Sequence, residues 1–344
     1  MKPYDPSLNT VRTPAEMDEW QAGCAEPALY PDLPIIDSHH HLWRKPVGDF
    51  LLPELEQALD EGHRVVATVA IECGNSFRVD GPEEFRCVGE TESIMAAIRG
   101  ARPGICAGIV AHADLHLDGV ARVLDAHIEA AEGRLRGIRQ QLRWDSSGIG
   151  MFGQEEDPDL IDSPGFRRGF AQLAGRGLSF DAWVFHPQLH RVAELARAFP
   201  ETTIVVNHCG GPLGVGPYAG RREEVRAHWR TGIGALAACP NVVMKIGGLG
   251  MLYYGFDFHE RPKPPAGADL AAVWQPYVDQ CLDAFGAERS MMESNWPGDR
   301  QSCGYGSMWN ALKLTTAGAS EDERAQLFLG TARRVYNLEH VASV

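Results

Sequence analysis

The chain has no run of about 18 apolar residues, so nothing in it reads as a membrane-spanning helix. It has no CxxC pair either. Its eight cysteines, Cys24, Cys73, Cys87, Cys106, Cys209, Cys239, Cys281 and Cys303, are scattered, which points to free thiols and away from a disulfide framework. Positive charge is scarce: 46 acids stand against 32 bases, a net charge of −14. That balance excludes a general nucleic-acid or anionic-membrane surface, though not a local basic pocket. No glycine-rich phosphate turn opens a helix after an early strand, which disfavours a doubly wound nucleotide fold. The opening residues, Met1-Lys2-Pro3-Tyr4-Asp5-Pro6, lack an apolar signal core, and the cytoplasm is the expected compartment.

Apolar residues, by contrast, make up 44% of the chain, enough for a large core. Residues 1–32 are polar and proline-containing and read as an arm with one helical turn near Thr13 to Trp20. From residue 33 to 344 short β-branched runs alternate with amphipathic stretches, as in a single domain. The strand candidates are Pro34–His39, Arg64–Ile71, Ile105–Ala111, Leu135–Gln141, Leu178–Val184, Thr202–His208, Asn241–Ile246 and Arg289–Asn295. Between them, Pro53–Glu61, Gly89–Arg99, Leu117–Ala131, Pro164–Ala174, Gln188–Phe199, Arg221–Ala238 and Ala268–Phe285 repeat apolar residues at spacings of three and four, the helical period. Gly306–Leu314 and Glu321–Tyr336 follow. Alternation of this kind predicts an α/β (β/α)8 TIM barrel. Two long connections, Cys73 to Cys87 and Gly247 to Gly267, would form rim loops at its C-terminal face.

In such a barrel, chemistry is carried by the C-terminal ends of the strands. The first strand ends in Asp37-Ser38-His39-His40-His41-Leu42-Trp43. Strict alternation aims Asp37, His39 and His41 one way, and Ser38 and His40 the other. Two imidazoles so spaced can grip one metal ion or flank one substrate. The other strands end in Glu72, in His112 and Asp114, in Arg139 and Gln141, in His186, in His208, in Lys245, and in Glu293 and Asn295. One such residue is ordinarily a hydrogen-bonded core group; a rim lined with them is a site. Arg139 and Lys245 lie between apolar neighbours and need anionic partners. The alternatives for each are an internal ion pair and a clamp for a substrate carboxylate or oxyanion. His63, His127 and His228, in helices or at helix ends, are read as surface residues.

The first-strand motif resembles that of the amidohydrolase superfamily. More narrowly, it is similar to the amidohydrolase-related (family 2) TIM-barrel hydrolases that include sugar-acid lactonases and 2-pyrone-4,6-dicarboxylate lactonase. The likeness continues through Gly137-Ile138-Arg139, Phe180-Asp181, Val206-Asn207-His208, Lys245-Ile246-Gly247-Gly248 and Met292-Glu293-Ser294-Asn295-Trp296-Pro297, and runs from residue 34 to 338. The resemblance implies a hydrolase adding water to a lactone, ester or similar carbonyl of a small carboxylated substrate. It implies metal ligation by His39, His41, His186 and His208, with zinc ahead of manganese. Some members of this branch work without a metal, which leaves metal-independent catalysis open. Pairing into a homodimer is a further expectation.

The chain departs from the family at one place. Where Ser-Asp-Trp-Pro is usual it has Ser294-Asn295-Trp296-Pro297, and an asparagine cannot take a proton at neutral pH. Glu293, on the same strand face, and Asp299, in the following loop, are the candidate replacements for that base. Glu293 is preferred on parity, against a salt bridge to Arg139 or Lys245. The catalytic set is then Glu293, His208 and Asn295, with Arg139, Lys245, Gln141, His112 and Trp296 binding substrate. Two other readings are a decarboxylase or hydratase acting on an aromatic breakdown product, and a non-catalytic ligand-binding barrel.

Overall fold

The computed structural model describes residues 12–45, 48–150 and 157–339. Residues 1–11 of the expected arm lie outside that range. Eight strands run in chain order around one sheet, each parallel to the next: β1 Ile35–His40, β2 Val65–Ile71, β3 Gly108–Ala111, β4 Leu135–Ile138, β5 Ser179–Ala182, β6 Ile204–Val206, β7 Val242–Ile246 and β8 Ser290–Met292. A parallel bridge between His40 and Trp296 joins the last strand's extension to the first. This is the (β/α)8 barrel that the alternation predicts. Seven of the eight strands sit inside the expected segments, most of them trimmed at the ends, and β1 runs one residue past its expected end, to His40.

The helices are α1 Pro14–Gln21, α2 Leu52–Leu59, α3 Val88–Ala97, α4 Val120–Ala130, α5 Pro164–Ala174, α6 Leu189–Ala198, α7 Arg222–Ala237, α8 Gly267–Phe285, α9 Tyr305–Thr315, α10 Glu321–Ala325 and α11 Thr331–Val335. The single helix expected over Glu321–Tyr336 is interrupted by a π turn, Gln326–Gly330, between α10 and α11. In the arm, Thr13 caps α1 with its side chain, and Glu16 returns the bond. Both long rim connections are present, after β2 and after β7.

Parity divides the core in two. Ile36, Val69, Val205, Val243 and Met291 face into the barrel, where Tyr336 and Leu338 from the chain's end join them. Ile35, Ile109, Phe180, Ile204 and Met244 face the helices. Following Val243 and Met291 by two residues puts Lys245 and Glu293 inside. The first strand does not keep step. Its register shifts between Asp37 and His40, so Ile36 and His39 both point inward although they are three apart. Asp37 is thereby turned to the helical layer, where it accepts bonds from Ser294 Oγ (2.7 Å) and the Tyr305 hydroxyl of α9 (3.2 Å). The expectation that it shares a face with His39 and His41 is overturned by that irregularity. His40 points outward as expected, to Thr68 Oγ1 at 2.9 Å.

Two histidines read as surface residues are buried. His63 lies between the Gly306 carbonyl (3.1 Å) and Lys313 Nζ (2.8 Å). His127 completes a stripe on α4 with Val120, Val123 and Leu124, the helical period itself. Its ring bonds Thr91 Oγ1 at 2.8 Å and the His112 carbonyl at 2.9 Å. His228 is exposed, as expected. The seven cysteines whose side chains are described are free.

Burial lowers the pKa of His127 to about 4. The unfolded chain therefore takes up the proton first as pH falls, and the native state loses stability between about pH 6.5 and 4 but not above. His127→Leu is expected to lower stability at pH 7 by about 1–3 kcal/mol, because Thr91 and the His112 carbonyl lose their partner. The deficit should shrink by on the order of 2 kcal/mol at pH 5. Urea unfolding midpoints at the two pH values check both numbers; a deficit independent of pH removes the argument.

Candidate active site

The centre of the barrel mouth is built from buried polar groups on seven strands and their extensions. Glu293, two residues past Met291 on β8, is fully buried. Its Oε1 accepts bonds from both the Nδ1 (2.7 Å) and the backbone N–H (2.9 Å) of His208. Its Oε2 stands 2.9 Å from Nδ1 of His39, an ion-pair contact rather than an aligned hydrogen bond. One carboxylate therefore serves two imidazoles, and it pairs with neither Arg139 nor Lys245.

Those two cations have carboxylates of their own. Arg139 Nε donates to Glu72 Oε1 at 2.6 Å, and its Nη1 reaches His39 Nε2 at 3.3 Å. Lys245 Nζ donates to Asp181 Oδ2 at 2.7 Å and lies 3.4 Å from His39 Nδ1. Asp181 also accepts from Asn207 Nδ2 and from the Tyr336 hydroxyl, each at 3.0 Å. Of the two alternatives for Arg139 and Lys245, the arrangement is the internal ion pair. Asp181 is the member that strand-end reading passed over. Its signal was in the sequence, a carboxylate between Phe180 and Ala182 in a buried strand, needing a cation as Lys245 needed an anion.

The ring protons follow from the partners. His41 Nδ1 faces the Ile71 carbonyl at 2.9 Å, so it carries the hydrogen and leaves Nε2 as an acceptor. For His39 the nearer carboxylate puts the hydrogen on Nδ1. The two Nε2 atoms then face each other at 3.3 Å. Burial drives the pKa of both rings well below the ordinary value, and that of His208 down as well despite Glu293. The His39 Nε2 lone pair has only the long Arg139 contact, so it and the His41 Nε2 lone pair repel unless a proton or cation lies between them. Two ligands of one tetrahedral zinc, with bonds of about 2.0–2.1 Å, stand about 3.3 Å apart. One donor atom each of His39, His208 and Glu293 also lies within 4.8 Å of the others. The donor set fits a divalent ion.

His186 does not join it. That residue lies past β5 in a short 3-10 turn, where its Nδ1 accepts the Leu213 N–H at 3.3 Å. Its ring packs on Tyr218 and His228. The apolar strand was expected to run to Val184, but it stops at Ala182, and the turn carries the histidine away from the cluster. Trp296 is turned outward too: its ring packs on Tyr305 and its carbonyl accepts the His41 N–H at 2.8 Å. Gln141 and His112 are half-buried at the rim. Gln141 Nε2 lies 3.3 Å from Glu72, and the His112 ring stacks on Phe77. Two aromatic walls were not anticipated: Trp43 stacks on His41, with ring centroids 5.7 Å apart, and Trp183 stands edge-on to His208 at 4.6 Å.

His208 sits at φ 54°, in the left-handed region. Its ring presses on Gly248, where a Cβ would come within 2.3 Å of Nδ1. Only glycine fits there.

The amidohydrolase family model matches residues 36–338. The chain is 31% identical over 327 residues to the uncharacterized protein y4mH of Sinorhizobium fredii, covering 89% of this chain and 99% of that one. It is 27% identical over 326 residues to the L-fucono-1,5-lactonase of Burkholderia multivorans, covering 89% and 97%. The crystal structure of an amidohydrolase from Burkholderia multivorans with bound zinc superposes with a TM-score of 0.69 at 25% identity, covering 88% of this chain and 99% of that one. Among the described residues no helix is long and apolar enough to cross a membrane. With the barrel, the buried histidine–carboxylate cluster and a match spanning nearly the whole chain in hand, the protein belongs to the amidohydrolase family and is a hydrolase.

Proposed function

We propose that this enzyme opens the lactone ring of a small sugar acid or a comparable carboxylated compound by adding water to its carbonyl. The observation that carries the reading is the Glu293 carboxylate shared by His39 and His208. By accepting the Nδ1 hydrogen of His208, Glu293 leaves Nε2 of that ring as the base and stabilises the imidazolium once the water has given up its proton. His208, neutral through burial, is ready for that role. The catalytic pair is thus His208 backed by Glu293, in place of Glu293 acting on water directly. His39 and His41 would hold a divalent ion through their Nε2 atoms, and Ile71 and Glu293 orient the two rings. Such an ion supplies Lewis acidity at the carbonyl and lowers the pKa of water. Arg139 and Lys245, each neutralised by a carboxylate, flank His39. Substrate contact falls to Gln141, His112 and the Trp43 and Trp183 faces, which suit the apolar face of a ring.

The direct test is incubation with L-fucono-1,5-lactone and a panel of sugar-acid lactones, with and without added zinc, following acid release by pH indicator. The expected product is the ring-opened acid, one water heavier. Release of carbon dioxide, or absence of ring opening across the panel in both metal states, sinks the reading. The metal assignment has its own readout. His41→Asn is expected to weaken zinc binding by at least about 10–100-fold, the scale on which losing even the group that orients a ligand acts. Equilibrium dialysis measures it, and unchanged zinc affinity removes His41 as a ligand.

A further inference from the structure

Asn295 stands at the rim beside the first strand: the next residue's carbonyl accepts the His41 N–H, and His40 and Trp296 form the bridge that closes the barrel. It is 2% exposed and held at φ 51°, a left-handed conformation that asparagine tolerates better than most residues. Its carboxamide has two different ends. Nδ2 donates to Asp299 Oδ1 at 2.7 Å, whereas Oδ1 has no partner among the described residues. Asp299, fully buried, spends its second oxygen on the backbone N–H of Gly250, also at 2.7 Å. Gly250 belongs to the long connection after β7. A Cβ there would lie 2.7 Å from Asp299 Oδ2 and 2.8 Å from its Cβ, so the close approach needs a glycine.

We infer that Asp299 is a positioning residue: it fixes the Asn295 carboxamide with its oxygen free for the reacting centre, and pins the β7 rim loop to the same point. This rests on the hydrolytic reading of the site. An amide alone can turn end for end, because its oxygen and nitrogen are nearly the same size. Asp299 removes that freedom when ionised: one oxygen already accepts from Gly250, and the other finds a donor only when Nδ2 faces it. Asp299, with both oxygens engaged, is thereby a holder of Asn295 and not a base for the attacking water.

The pairing rule makes the test specific. In Asp299→Asn the new side chain must accept from Gly250, and it then turns an NH2 toward the NH2 of Asn295. In Asn295→Asp, assayed and exchanged well above the value of about 8 to which burial lifts the Asp299 pKa, two carboxylates face each other. In the swap, Asn295→Asp with Asp299→Asn, the amide now at position 299 donates to the carboxylate at position 295 and still accepts from Gly250. Every bond can then re-form, and position 295 still presents an oxygen. Each single variant is expected to lose about tenfold or more in kcat, with KM within about twofold, and the swap to recover most of the loss. Peptide hydrogen–deuterium exchange supplies a readout independent of turnover. The segment around Gly250 should exchange faster in Asn295→Asp and return toward wild type in the swap. Wild-type kcat in Asp299→Asn, or a swap no better than the worse single variant, overturns the inference. If the wild-type enzyme opens no lactone, the hydrolytic reading fails by itself, and the exchange data still decide whether Asp299 pins residue 295 and the loop: unchanged exchange in Asn295→Asp overturns it.

Discussion

Glu293→Gln is expected to lower kcat by a factor on the order of 10²–10⁴ while the enzyme stays folded. The substitution keeps the shape and removes the charge. Glu293 now faces three donors, the ring and backbone N–H of His208 and the ring of His39. A glutamine offers one oxygen and one NH2, so one imidazole confronts a donor and must exchange its ring hydrogen to the other nitrogen. If that ring is His208, its Nε2 is protonated and cannot accept a proton from water. If it is His39, the acceptor facing His41 is lost. A neutral amide also fails to stabilise the imidazolium that forms during the reaction. The measurement is steady-state turnover with circular dichroism as a check on folding. Near-normal turnover in a folded variant would show that the shared carboxylate is structural.

Lys245→Met is expected to cost about 3–5 kcal/mol of stability, the price of leaving a buried carboxylate without its cation. Lys245 and Asp181 are both fully buried, 2.7 Å apart. With the lysine gone, Asp181 keeps only the neutral donors Asn207 and Tyr336. Adding Asp181→Asn to Lys245→Met should restore most of the stability, since the amide needs no counter-charge. Turnover should stay low in the double variant, because Lys245 Nζ lies 3.4 Å from His39 Nδ1 and shapes the field at that ring. Chemical denaturation of the four proteins gives the coupling. Additive losses would mean that the two groups do not depend on each other.

The barrel was legible because its signals are local. Alternation of strand and helix needs only the neighbouring residues, and the buried charges Arg139 and Lys245 announced themselves among apolar residues. Their partners were not legible, because Glu72 and Asp181 come from other strands and only the closed barrel brings them near. The paired histidines were found by parity, yet parity misplaced Asp37, since one irregularity in register shifts every side chain before it. His127 was misread although its position on the apolar stripe of α4 was visible in the spacing. His186 was lost for another reason: where β5 ends is set by tertiary packing, and a strand that stops two residues earlier than expected leaves its histidine in a turn. The Asn295–Asp299 pair shows a limit of motif reading. The departure at residue 295 is plain in the sequence, but its consequence depends on which atom of the amide the neighbouring carboxylate selects.

Gly248 moulds the ring of His208 so closely that no methyl group can be inserted between them. If His208 acts as proposed, the floor of the site is a fixed casting at this point. New substrate preferences, whether selected in nature or in the laboratory, have to be written into the rim: the connections after β2 and β7, and the faces of Trp43 and Trp183. Saturation libraries confined to those places should yield altered specificity. Libraries directed at the strand ends should yield mostly inactive protein.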